Sequence, residues 1–301
     1  MARVAFLFPG QGAQTVGMAR DLCAALPAAR HLFAEASEFL GYDLLDVCVN
    51  GPVERLDSTI ISQPALFVAS LAALESLKQS QPQALDECVA AAGLSLGEFT
   101  ALTFAGALTF REGLRLVKRR GEAMQAAADL TPSGMVSVLL LEQPRVEELC
   151  AAARQNDILQ IANLLCPGNI AVSGHRTACD RLEALAAEAG GRTVRLAVAG
   201  AFHTPLMKSA DVAMADVFAS VPLQTPRVPV WSNVTAQPHG APDEIRLLLR
   251  RQMTEPVLWE QTMRNLLAAG CERFYEIGPK RVLAGLLKRV QRNVDCQNIS
   301  A

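Results

Sequence analysis

Cys88-Val89-Ala90-Ala91-Ala92-Gly93-Leu94-Ser95-Leu96-Gly97 carries a strand, a turn and the start of a helix in ten residues. Its first five residues are small or apolar, Gly93 ends them, and a helical pattern starts again at Gly97. A short apolar run closed by a turn residue reads as a buried strand. Between strand and helix stands G-x-S-x-G, with Ser95 at its centre. In that setting the glycines permit a strained turn that lifts the serine hydroxyl clear of the sheet. The next N–H, from Leu96, can donate to an oxyanion, and the start of the helix adds positive potential. The plainer alternative is a helix-capping serine in a glycine-flanked turn. The strand–turn–helix context favours the nucleophile.

Working outward, Val4-Ala5-Phe6-Leu7-Phe8 is a second buried strand, and residues 1–9 read as strand and turn, stopped by Pro9-Gly10. A glycine-rich loop follows through Gln14, and helical patterns run over about 63–77 and 111–127. Strands alternating with helices imply a mainly parallel sheet covered on both faces. The middle of the chain changes rhythm. Strand-like runs at 135–141, 158–162, 170–173 and 193–198 frame helical runs at 145–153 and 179–189. That order, β-α-β-β-α-β, is the ferredoxin-like pattern. It predicts a small subdomain over 131–198, inserted into a large α/β domain made of 1–130 and 199–301. After it come a strand at 228–231, helices at 243–253 and 257–268, and a strand at 273–277. A last helix runs through Val290, and residues 298–301 read as loose.

Composition narrows the function classes. Half of the 301 residues are hydrophobic, enough for a large core. A net charge of -2 leaves no excess of cations to displace counterions from nucleic acid. No apolar run reads as long enough to cross a bilayer, and the start lacks a signal-peptide pattern, so a cytoplasmic protein is expected. The eight cysteines are scattered without C-x-x-C spacing, which predicts neither a zinc site nor a disulfide framework.

A serine nucleophile needs a base. Of the four histidines, His31 falls in an early amphipathic helix, His239 in a Pro/Gly-rich turn and His175 just after Gly174. His203 stands in Gly200-Ala201-Phe202-His203-Thr204-Pro205, where small residues allow close approach to the serine turn, so it is the nominee. No aspartate is singled out to orient it, although Ser-His-Asp hydrolases normally supply one.

Five stretches carry a resemblance. They are Phe8 to Gln14, Gly93 to Glu98, Leu116 to Gly121, Ala201-Phe202-His203, and Tyr275 to Pro279. Together, and in this order over nearly the whole chain, they resemble the malonyl-CoA:acyl carrier protein transacylases of type II fatty acid synthesis. The resemblance implies an α/β, hydrolase-like parallel-sheet large domain with an inserted ferredoxin-like (βαββαβ) subdomain. It implies ping-pong transfer through a malonyl ester on Ser95, with His203 as base. The backbone carbonyl of Gln252 would orient His203, which accounts for the missing aspartate. Backbone N–H groups of Gln11 and Leu96 would form the oxyanion hole. Arg120, which beside Lys118 and Arg119 would otherwise read as part of a solvated basic face, would by the resemblance hold the free carboxylate, since a planar guanidinium binds one by two parallel hydrogen bonds. Phe202, Asn163 and Met124 complete the implied substrate-binding set, with Phe202 crowding a methyl branch. The implied partners are malonyl-CoA and an acyl carrier protein that brings its own phosphopantetheine. No metal or tightly bound cofactor is implied, and a monomer is expected.

Two positions depart from the family pattern: Leu94 stands where histidine is usual, and Leu165 where asparagine is often found. A basic group near the end of the chain, Lys280, Arg281, Lys288, Arg289 and Arg292, reads either as a carrier-docking patch or as a solvated helix face. Three rivals stay open: a polyketide acyltransferase or editing acyl hydrolase, a non-catalytic carrier-binding subunit, and a generic serine esterase.

Overall fold

The computed structural model describes residues 3–301, so the first two residues of the strand-and-turn reading of 1–9 lie outside the described residues. The strands are β1 (Val4–Phe8), β2 (Cys88–Gly93), β3 (Ser133–Leu139), β4 (Leu159–Cys166), β5 (Asn169–His175), β6 (Arg192–Arg195), β7 (Val230–Trp231), β8 (Arg273–Ile277) and β9 (Asp295–Ile299). They form two sheets. The larger has the order β7-β2-β1-β8-β9, with every neighbouring pair parallel. All five residues of β1, at its centre, are buried, as a strand covered on both faces must be. Helices pack on each side: Phe6 and Phe8 face one apolar cluster, Ala5 and Leu7 the other.

The smaller sheet has the order β4-β5-β3-β6 and is antiparallel throughout. Helices Gln143–Arg154 and Arg176–Glu188 join its strands in the β-α-β-β-α-β order. Side-chain alternation along β3 gives this sheet two jobs. Val136 and Val138 enter its own core with Val146, Leu149 and Leu182. Met135 and Ser137 point the other way, into a cavity between the two sheets.

Direct bonds tie the two parts together. Leu164 N–H donates to Val257 O at 2.9 Å, and Val257 N–H donates to Ala162 O at 2.8 Å. This pairing draws Val257 into an extended conformation, so the helix expected from 257 starts at Trp259. Arg289 Nη2 reaches across to Pro167 O at 2.7 Å.

Three other expectations need correction. Helix Thr59–Ser80 has 22 residues and is apolar enough to cross a membrane by length and composition, where the sequence reading found no such run. It is apolar all round because it is buried in the fold on nearly every side. The end of the chain is ordered through pairing: Asn298 lies in β9 and donates to Glu276 O at 3.1 Å. The strand expected over 228–231 keeps only Val230–Trp231, for Pro229 has no N–H to offer the ladder.

Candidate active site

Ser95 sits between β2 and helix Leu96–Phe104 with φ 52° and ψ −102°, a conformation that side chains resist. Close packing enforces it. A Cβ on Gly97 would lie 2.1 Å from Phe8 O, and one on Gly93 would lie 1.9 Å from the Gly97 carbonyl carbon. Asn233 clamps the turn from outside. Its Oδ1 accepts from Ser95 N–H at 2.6 Å, and its Nδ2 donates to Gly93 O at 2.7 Å.

His203 arrives from the segment that follows the small sheet, itself at φ 61° and 3% exposed. Its Nδ1 lies 2.6 Å from Gln252 O and its Nε2 lies 2.9 Å from Ser95 Oγ. A carbonyl only accepts, so Nδ1 carries the proton and Nε2 is left to take one from the hydroxyl. Burial first, and then the nearby Arg120 cation, push the His203 pKa down to about 4, while the bond to Gln252 pulls the other way. The imidazole is therefore neutral at pH 7.

Arg120 projects from helix Phe110–Asp129, which begins with a full capping box at Thr109 and Glu112. It is 1% exposed. Nη1 donates to Gln63 Oε1 at 2.8 Å, and Nη2 donates to Ser95 Oγ at 3.0 Å and Gln252 Oε1 at 2.9 Å. The guanidinium lies over the Phe99 ring, 5.4 Å from its centre. Every one of these partners is neutral. Among the described residues no carboxylate forms an ion pair with Arg120, and its buried Nε has no partner. Desolvation pushes its pKa down to about 10, against a weaker opposing pull from Glu98, which leaves it charged at neutral pH.

Ser95, His203 and Arg120 open onto a cavity of about 290 Å³ between the sheets. Phe202, Asn163, Met124 and Gln11 line it too. Leu96 is buried below the serine and Gln252 behind the histidine, so neither side chain reaches the cavity. The N–H groups of Gln11 and Leu96 find no protein acceptor among the described residues, as the first N–H of a helix is left free. Leu94 and Leu165 both line the cavity, and with Leu286 and Val282 they add apolar surface to it. In the basic group, Arg289 is engaged with hairpin carbonyls and Lys280 Nζ donates to Gly12 O at 3.2 Å.

Sequence reading passed over four residues of this site. Gln63 holds Arg120, Asn233 holds the serine turn, and Glu98 pairs with His239 at 2.6 Å behind Gln252. Their signal is tertiary: Glu98 and His239 stand 141 residues apart in the chain. Only Glu98, inside a quoted motif, was within reach.

Residues 5–300 match the model of a family described as the acyl transferase domain. The mitochondrial malonyl-CoA-acyl carrier protein transacylase of Mus musculus is 46% identical over 299 residues, covering 95% of this chain and 78% of the mouse protein. The malonyl CoA-acyl carrier protein transacylase of Escherichia coli K12 is 38% identical over 291 residues, covering 96% of this chain and 93% of its own. Among solved structures, the malonyl CoA-acyl carrier protein transacylase of Coxiella burnetii superposes with a TM-score of 0.95 at 36% identity, covering 99% of this chain and 94% of that one.

Proposed function

Because this chain belongs to the acyl transferase domain family, we propose that it moves a malonyl group from coenzyme A to the phosphopantetheine thiol of an acyl carrier protein. Ser95 Oγ attacks the thioester carbonyl as His203 Nε2 takes its proton. The oxyanion accepts from the N–H groups of Gln11 and Leu96, each typically worth about 3 kcal/mol at the transition state. Collapse breaks the C–S bond, and the proton passes from His203 to the departing thiolate. In the second half the carrier thiol gives its proton to His203 and attacks the malonyl ester. The C–Oγ bond breaks and the proton returns to Ser95. This is ping-pong transfer through one covalent ester.

The observation that carries the reading is Arg120: charged, buried, in no ion pair among the described residues, and 3.0 Å from Ser95 Oγ. A buried guanidinium held against neutral amides favours an acyl group that brings its own carboxylate. A neutral acyl chain in the same place leaves that charge unpaired, which argues against an esterase or a hydrolase of neutral acyl groups. Phe202, Met124 and Asn163 are assigned to the wall around the malonyl group. Residues 131–198 are assigned to a small subdomain between 1–130 and 199–301, whose sheet closes the cleft from above. Eight buried, free cysteines fit the cytoplasmic residence expected from the sequence.

The test is competition between malonyl-CoA and acetyl-CoA for acylation of Ser95. Wild type should prefer malonyl strongly, and Arg120→Ala should lose most of that preference by losing malonyl rate. An Arg120→Ala enzyme with undiminished preference would remove Arg120 from the account.

A further inference from the structure

Glu98 is fully buried in the first turn of helix Leu96–Phe104, three residues beyond the serine. Its Oε1 lies 2.6 Å from His239 Nε2; its Oε2 accepts from Gln252 Nε2 at 2.6 Å and from Asn233 N–H at 3.3 Å. Neither Glu98 nor His239 lines the substrate cavity, and none of the steps above uses them. A carboxylate buried this deeply is costly to keep unless its bonds do something specific.

What these bonds do is orient an amide. A carboxylate only accepts and a guanidinium only donates. Gln252 lies between them, so its Nε2 must face Glu98 and its Oε1 must face Arg120 Nη2, at 2.9 Å. The same Nε2 donates to Ser95 O at 2.9 Å, and the backbone carbonyl of Gln252 takes His203 Nδ1. Asn233, whose N–H rests on Glu98, holds both ends of the serine turn through its side chain. One buried carboxylate thus stands behind the serine, the histidine and the arginine at once. His239 donates to its remaining oxygen and keeps that oxygen from drawing Gln252 away.

We propose that Glu98 and His239 form a buried positioning pair that sets selectivity for a carboxylated acyl group by locking the Gln252 amide against Arg120. The proposal rests on the reading of Arg120 as the holder of the acyl carboxylate. Glu98→Gln keeps the shape but can present either a donor or an acceptor, so that only Ser95 O and Arg120 still fix the Gln252 amide and its hold on the guanidinium loosens.

The measurement is the ratio of malonyl to acetyl acylation rates at Ser95, from intact mass of full-length protein after brief mixing with each thioester, beside a thermal melt. Wild-type acylation by malonyl-CoA first tests the underlying reading; without it, that reading fails and not the pair. Given that acylation, Glu98→Gln should lower the ratio roughly ten- to a hundredfold, the scale of a small misplacement of a positioning group. His239→Leu should lower it in the same direction, and His239→Gln, which returns a donor to Glu98, should recover at least half of that loss. A folded Glu98→Gln with the wild-type ratio overturns the proposal. If Glu98→Gln gives no cooperative melt, His239→Leu decides. A wild-type ratio in that variant, or a loss that His239→Gln does not repair, overturns the pair equally.

Discussion

His203 is held neutral by two effects acting together, burial and the Arg120 cation, and this has a pH signature. As pH falls through the ordinary histidine value of about 6.5, the unfolded chain takes up a proton that the folded chain refuses until about pH 4. Stability therefore falls with acid across that window, by about 3 kcal/mol in all from this one group. The opposite slope would mark a histidine stabilised as a cation. Urea melts of wild type and His203→Gln at pH 7 and near pH 4.5 should show wild type losing about 2 kcal/mol more than the variant. Equal losses would mean that the folded protein takes up the proton as readily as the unfolded chain. Activity follows the same logic. The acid limb of kcat/KM reports the free enzyme's base, so it should lie well below pH 6.5. At this scale Ser95 was legible from its strand–turn–helix setting and His203 was nominated by the small residues around it, while Arg120 came only from the family resemblance. Gln63, Asn233 and His239 have no local signal, since what they touch is decided only when distant segments meet.

The serine turn is an element defined by what it cannot accommodate. Gly97 lets helix Leu96–Phe104 press against the backbone of β1, where an added Cβ would meet Phe8 O at 2.1 Å and Phe8 C at 2.8 Å. Both are main-chain atoms of a fully buried strand, so neither can step aside cheaply. Gly97→Ala should destabilise by roughly 1–3 kcal/mol or more, as overpacking does, and should cut acylation by tilting the helix that carries the Leu96 N–H. Gly134 in β3 is the control, with nothing within 4 Å of its would-be Cβ. Gly134→Ala should stay within about 1 kcal/mol of wild type. Thermal melts of the two variants check both numbers, and equal effects would mean that the close approach is not what the glycine serves. Elements with strong local patterns were read closely. The strand at Arg273–Ile277 and the helix ending at Val290 came out as expected. The starts at Trp259 and β9 did not, because Val257 and Asn298 answer to partners in another sheet or strand rather than to their neighbours.

At the scale of the molecule, the cleft exists because two sheets of different kind face each other. The parallel sheet delivers Ser95 at the end of a buried strand, where active sites of open α/β sheets lie. The antiparallel sheet turns Met135 and Ser137 toward the serine and keeps Val136 and Val138 for itself. A strand over 135–141 was legible in the sequence and forms as Ser133–Leu139, but a run apolar at all but Ser137 did not say which face looked at the cleft. Leu94 and Leu165, which the sequence marked only as departures from the family pattern, both line the packed cleft. A malonyl ester on Ser95 that passes to a carrier is read by intact mass of the protein after brief mixing with malonyl-CoA, followed by a chase with holo acyl carrier protein. Wild type should take a malonyl adduct and pass it to the carrier, and Ser95→Ala should take none. An adduct that decays to free malonate while the carrier stays unloaded, or a folded wild type that takes no adduct, would contradict malonyl transfer through Ser95.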